Sequence, residues 1–156
     1  MKATTVIPDS STFTCAVHWE GDNSDYETFP RLHDITLPGG RTLRAGGAHL
    51  LQEKEQTNPE ELFAASVASC MMMTVLAVFS RSRIPIVSYD DHPEALLELV
   101  DRRYRITRVT LRPRIVHRGP ADAQKLTALI EKSHANCFIT LSVKSEVVLE
   151  PTFVQA

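Results

Sequence analysis

The sequence predicts a single α+β domain, residues 1–156, in which antiparallel sheets pack on a central buried helix. One apolar segment, residues 58–80, carries helix boundary signals and is long for a chain of this size. Extended segments flank it on both sides, and a second amphipathic helix follows. We expect the order three strands, helix, two strands, helix, strand.

The composition is that of one globular domain. The chain has 156 residues, of which 43% are hydrophobic and 23% charged, and neither repeats nor linkers interrupt it. A net charge of −2 argues against nucleic-acid binding. Three cysteines are too few for a disulfide scaffold and indicate a reducing compartment. The N-terminus shows no secretory signal, so we expect a cytoplasmic protein.

The N-terminal segment is typical of an antiparallel meander. Extended runs lie at residues 11–19, about 27–37 and 41–45, separated by turns at 20–23 and 38–40. Residues 46–57 are interpreted as a polar loop.

The central helix has clear boundaries. Asn58 is a good N-cap, Pro59 suits the first helical position, and Glu61 completes the capping pattern. The helix is expected to run to about Ser80, because Pro85 prevents simple continuation. Its uncharged middle reaches membrane-spanning length, but its many small residues favour a buried helix, so no membrane association is expected.

The remaining chain is mainly extended. Segments 84–89 and 94–100 look like strands, although 94–99 also has helical propensity, and 104–116 alternates, with Pro113 marking an edge or a bulge. An amphipathic helix is predicted from Pro120 to about His134, and a final strand over residues 141–149.

Two cysteines are the candidates for chemistry. Cys70 lies in the apolar helix, where a thiol is commonly inert packing, and Cys137 follows the second helix. Cys15, on a β-rich segment, is interpreted as structural. Zinc held by Cys70, His134 and Cys137 is an alternative, but the spacing is loose and a fourth ligand is missing, so no metal is expected.

Three motifs carry a resemblance to a known family. They are His18-Trp19-Glu20-Gly21-Asp22, the helix start Thr57–Ala65 running on to Ser69-Cys70, and Ala135-Asn136-Cys137. With the order of elements, they make the chain resemble the OsmC/Ohr family of thiol peroxidases. The resemblance implies an intertwined homodimer whose central helices pack together, with active sites near the interface. It also implies reduction of organic hydroperoxides, recycling by a dithiol such as a lipoyl group, and no cofactor.

The resemblance also implies roles for individual residues. Cys70 corresponds to the peroxidatic cysteine, Cys137 to the resolving cysteine and Glu60 to the site glutamate. Arg44 matches the OsmC-type position of the site arginine, and Arg31 is its rival. Many members have Cys-Pro at the second cysteine, whereas this chain has Cys-Phe, which is a departure from the family pattern.

The chemistry restricts how these residues can act. Apolar surroundings raise a thiol pKa, and Cys70 lies too far into its helix for the helix dipole to ionise it. A guanidinium held by Glu60 could do so. Ten helical residues span about 15 Å, so Glu60 is expected to serve the site across the dimer interface or through an arginine.

Two other functions remain open at this point. A non-catalytic relative could use the same interface cavity to bind a small apolar ligand. Alternatively, the two thiols could form a redox sensor that passes its disulfide to a partner protein.

Overall fold

A computed structural model describes residues 9–47 and 56–156. The chain divides into two compact units, Met1–Pro59 and Glu60–Ala156. The assignment of a single domain stays a prediction.

The N-terminal unit contains the predicted meander. Strands β1 (Ala16–His18), β2 (His33–Thr36) and β3 (Thr42–Ala45) form an antiparallel sheet in that order. The first two strands are shorter than predicted, because the chain between them forms turns and loop. Gly39 and Gly40 take positive φ at the β2–β3 turn, which suits residues without a Cβ. Part of the predicted polar loop, residues 48–55, lies outside the described residues.

Helix α1 (Pro59–Arg81) opens the second unit and begins where the sequence predicts. It ends where the Ile84 N–H bonds the Phe79 carbonyl at 3.1 Å and Arg83 takes a φ of 61°. By length and composition alone α1 could also cross a membrane, a test that the core helix of a soluble protein passes too. One face of α1 is buried, so the helix is only partly enclosed within this chain.

Six strands follow α1, more than predicted, and they build two sheets. The strands are β4 (Ile86–Asp90), β5 (Glu94–Val100), β6 (Arg103–Leu111), β7 (Arg114–His117), β8 (Glu146–Leu149) and β9 (Thr152–Gln155). The sheet orders are β4-β7-β9 and β5-β6-β8. Both sheets are mixed rather than antiparallel, because β8 and β9 run parallel to β6 and β7.

Prolines explain why the strand count was wrong. Pro113 has no N–H to continue a ladder, so the predicted single strand over 104–116 splits into β6 and β7, which belong to different sheets. Pro151 separates β8 from β9 in the same way. The Thr152 N–H donates to the Pro113 carbonyl at 2.8 Å, and this bond links the β6–β7 connection to the β8–β9 connection.

The second predicted helix is present, but the segment after it was predicted wrongly. Helix α2 (Ala123–Asn136) starts after Asp122, whose carboxylate accepts the Lys125 N–H at 2.7 Å. Leu141 and Ser142, expected to begin the last strand, instead end a short helix, α3 (Phe138–Ser142). Local β propensity is overridden there by tertiary packing.

The core of the second unit gathers residues from every layer. The buried face of α1 packs with β6, β7, β8 and α2 in one cluster that includes Cys137. Its fully buried large side chains are Phe79, Met71, Leu111, Ile115, Val67, Val75 and Val109. The α+β class with a central helix is therefore confirmed.

Candidate active site

The structure brings Cys70 and Cys137 together. The Cys137 side chain lies close enough to Cys70 to raise the pKa of the Cys70 thiol, and both cysteines are free thiols. Cys70 projects from the middle of α1, whereas Cys137 is the residue that ends α2 and precedes α3. The fold thus converts a long separation in sequence into a side-chain contact.

The two thiols differ in access to solvent. Cys137 is 0% exposed and belongs to the core cluster, whereas Cys70 is half-buried at the margin of that cluster. A molecule arriving from solvent therefore meets Cys70 first. Cys15, in the N-terminal unit, is an exposed free thiol.

Opposing effects act on the Cys70 thiol. Burial is the largest and raises its pKa, while the Ile139 N–H lowers it. The hydrogen bond and the charge of Cys137 raise the pKa further, and the Phe138 N–H lowers it. Both N–H groups belong to the first turn of α3, where intrahelical acceptors are lacking.

These two N–H donors are the main site feature that the sequence did not predict. A strand was expected from residue 141, and no pattern in the sequence predicted that the backbone N–H groups of residues 138 and 139 interact with Cys70. A helix start directly after Cys137 was the signal that could have revealed them, because the first N–H groups of a helix point outward for an external acceptor.

Glu60 lies on the same helix as Cys70, in the first turn of α1. Its Oε2 is buried and has no hydrogen-bond partner among the described residues. A buried carboxylate oxygen without a donor is unfavourable, so this atom is suited to a partner other than the residues that the structure describes.

The two candidate arginines belong to the N-terminal unit and differ in their surroundings. Arg44 on β3 lies opposite Asp34 on β2, and its Nη1 donates to Asp34 Oδ1 at 2.8 Å. The Arg44 side chain is 51% exposed. Arg31 uses both terminal nitrogens on backbone carbonyls, Nη1 on Phe29 at 3.2 Å and Nη2 on Tyr26 at 2.7 Å.

Tyr89 and Asp91, at the end of β4, were not recognised from the sequence. The Tyr89 hydroxyl and Asp91 Oδ2 are buried without hydrogen-bond partners in the described part of the chain. Burial, then the charges of Asp91 and Cys137, raise the pKa of Tyr89, so its hydroxyl stays protonated. Burial also raises the pKa of Asp91, whose Oδ1 accepts the Arg112 N–H at 2.8 Å.

Metal binding has no structural support in the described residues. Across residues 9–47 and 56–156, no group of three or more histidine, cysteine, aspartate or glutamate side chains is gathered to hold a metal ion.

Comparisons with known proteins agree with this architecture. The family model described as OsmC-like protein matches residues 52–152. Peroxiredoxin OsmC from Escherichia coli is 28% identical over 136 residues, covering 85% of this chain and 90% of that protein. The uncharacterized protein YmaD from Bacillus subtilis is 22% identical, with 88% and 90% covered.

Solved structures extend the likeness to the fold. An OsmC-like protein of unknown function from Vibrio cholerae superposes with a TM-score of 0.81 at 28% identity, covering 92% of this chain and 100% of that one. The organic hydroperoxide resistance protein OhrB of Bacillus subtilis gives a TM-score of 0.63 at 22% identity, with 91% and 98% covered. Since the family model spans well over half of the sequence, this chain belongs to the OsmC-like protein family.

Proposed function

We propose that this protein is a thiol peroxidase that reduces organic hydroperoxides to alcohols. The observation that carries the proposal is the contact between the Cys70 and Cys137 thiols, with two backbone N–H groups directed at Cys70. The names of the Escherichia coli peroxiredoxin and the Bacillus subtilis hydroperoxide resistance protein support the same chemistry.

Burial supports the division of roles between the thiols. Cys70 is the sulfur that a peroxide can reach, so it is the proposed peroxidatic residue, and the enclosed Cys137 is the proposed resolving residue. Phe63 lies two turns before Cys70 on the same face of α1 and is half-buried, and it favours an organic over a small polar peroxide.

The reaction balances in three steps. The Cys70 thiolate attacks the terminal peroxide oxygen, the O–O bond breaks, and the departing alkoxide takes a proton to become the alcohol. Cys137 then attacks the Cys70 sulfenic acid, the S–S bond forms, and hydroxide leaves as water with the Cys137 proton. A dithiol, for which a lipoyl-type group is the proposed source, donates two electrons and two protons to restore both thiols.

Thiolate formation depends on donors, because burial opposes it. The Phe138 and Ile139 N–H groups favour the charged form of Cys70. Cys137-Phe138 stands where many family members have Cys-Pro, and a proline at 138 would have no N–H to donate. This chain therefore has a donor that relatives with proline lack.

Arg44 is our preferred candidate for the cation that activates the thiol and binds a peroxide oxygen. It occupies the OsmC-type position, it is half exposed, and one terminal nitrogen is engaged by Asp34. Arg31 has less freedom, because two carbonyls hold its guanidinium. Glu60 would orient the arginine by a charge-assisted contact.

A homodimer is the assembly that we propose. Among the described residues, α1 leaves exposed a stripe of small and uncharged side chains, which a second copy of the helix would bury. The exposed members of this stripe are Ala65, Ser66, Ser69, Met73 and Ala77. The unpartnered Glu60 Oε2 fits a site completed by the other subunit. We place the dimer in the cytoplasm, where thiols remain reduced.

The protein should turn over cumene hydroperoxide in the presence of dihydrolipoamide. Cys70→Ser should abolish turnover, whereas Cys137→Ser, assayed without dithiol, should still consume one equivalent of peroxide and stop as a Cys70 sulfenic acid that dimedone traps. Peroxide loss and intact mass measure both outcomes. A redox sensor would oxidise once without turnover, and a binding protein would do neither. Cys15→Ser is the control and should remain active.

Phe138→Pro should raise the Cys70 pKa, because it removes a donor to the thiolate. Proline suits the first position of α3, and Cys137 already has the extended conformation (φ −77°, ψ 116°) that a following proline requires. Phe138→Ala keeps the N–H and loses only a side chain that is 61% exposed, so it is the matched control. The measurement is the pH midpoint of Cys70 alkylation by iodoacetamide. Equal midpoints in both variants would remove the Phe138 N–H from the mechanism.

Arg44→Gln should lower kcat/KM for cumene hydroperoxide by about 100-fold, the usual cost of removing a donor aimed at developing charge. Arg31→Gln should lower it by less. Steady-state kinetics with circular dichroism to verify folding separate the two. The reverse order of effects would transfer the activating role to Arg31.

Glu60 should act on the Cys70 of the opposite subunit. A heterodimer of a Glu60→Gln chain with a Cys70→Ser chain retains one wild-type Glu60–Cys70 pair only across the interface. Two different affinity tags, purified in tandem, isolate this species. We expect clear activity from it.

The reciprocal heterodimer is the control. A doubly substituted Glu60→Gln/Cys70→Ser chain paired with a wild-type chain keeps one intact pair only within a subunit. It should have the low activity of the Glu60→Gln homodimer. Activity in this species and not in the first would show that Glu60 acts within its own chain.

A further inference from the structure

A second candidate site lies within the N-terminal unit. A cavity of about 300 Å³ opens between β1, β2 and the loop that joins them. It is lined by Val17, Trp19, Asn23, Phe29, Arg31 and His33. Trp19 belongs to the motif His18-Trp19-Glu20-Gly21-Asp22, for which the proposed peroxidase mechanism has no use.

The Arg31 side chain lines this cavity, and its guanidinium is held in place by neighbouring rings and carbonyls. It lies 4.0 Å from the centroid of the Phe29 ring and 5.4 Å from that of Tyr26, and its terminal nitrogens bond two neutral carbonyls. A Cβ on Gly47 would stand 3.2 Å from Arg31 Cδ, so glycine there gives the stem room. Among the described residues no carboxylate lies within ion-pair distance of Arg31, and none lines the cavity.

The apolar wall is also held in place. The Trp19 Nε1–H donates to the Pro30 carbonyl at 2.7 Å, and the Trp19 and Phe29 rings meet edge to face at 6.5 Å. A Cβ on Gly21 would come within 2.9 Å of the Trp19 ring, so only glycine allows this close packing. Aromatic surface and a positive charge therefore face one space, with little reorganisation required on binding.

We propose that this cavity binds a small aromatic carboxylate. The ring would pack against Trp19 and Val17, and the carboxylate would accept hydrogen bonds from Arg31 and the Asn23 amide. The volume lies at the lower end of the range for ligand pockets, which fits one or two rings. The proposal goes beyond the peroxidase function and does not depend on it.

The single tryptophan of the chain reports directly on this site. We expect 4-tert-butylbenzoate to produce a saturable change in Trp19 fluorescence, excited at 295 nm. The uncharged isostere 4-tert-butylbenzamide should bind about tenfold more weakly, since it lacks the charge-assisted bond to Arg31. Equal affinities for acid and amide, or no saturable response to the acid, would overturn the proposal without any need for a variant.

Substitution of Arg31 provides a second comparison. Arg31→Gln should weaken binding of the benzoate about tenfold and leave binding of the benzamide unchanged. Arg41→Gln removes the same charge from the exposed β2–β3 turn of the same unit and is the control. If both variants weaken benzoate binding equally, the attraction is general surface charge, and the assigned site is wrong. Far-UV circular dichroism verifies that each variant is folded.

Discussion

The contact between the Cys70 thiol and the first turn of α3 is the interaction on which the proposed chemistry depends. A thiolate in apolar surroundings is unfavourable unless donors replace the water that it loses. Here α1 supplies the sulfur, and the α2–α3 junction supplies both the second thiol and two backbone N–H groups. If that junction moved, the Cys70 thiol would lose both the Cys137 thiol and the two N–H donors at once.

The sheets explain how the junction reaches the helix. The chain passes from β6 to β7 at Pro113 and from β8 to β9 at Pro151, and at each point it leaves one sheet for the other. Because β8 and β9 run parallel to β6 and β7, the connection between β7 and β8 must cross over the sheets. Helices α2 and α3 form that crossover, and Cys137 lies between them with its side chain in the core.

The sequence predicted the features that local signals determine. Asn58, Pro59 and Glu61 marked the start of α1, and the resemblance to the OsmC/Ohr family singled out Cys70 and Cys137. Local signals failed where tertiary structure decides. Residues 138–142 have strand-like composition yet form a helix. The predicted number of strands was wrong because a buried proline, Pro113, divides one alternating segment into β6 and β7. The donors to Cys70 are backbone groups, which leave no trace in residue identity.

Because no proline follows Cys137, backbone N–H groups can share with Arg44 the stabilisation of the Cys70 thiolate. A hydrogen bond to a charged group contributes about 1.5–3 kcal/mol, which corresponds to roughly one to two pKa units. Two such donors, fixed by a helix turn, stabilise the thiolate without ordering a long side chain. Arg44 is half exposed and already paired with Asp34, so holding it at the sulfur costs side-chain entropy. On the proposed mechanism the backbone donors offset part of the effect of burial, which on balance still raises the Cys70 pKa. Arg44 then supplies the remaining stabilisation of the thiolate and also binds the peroxide.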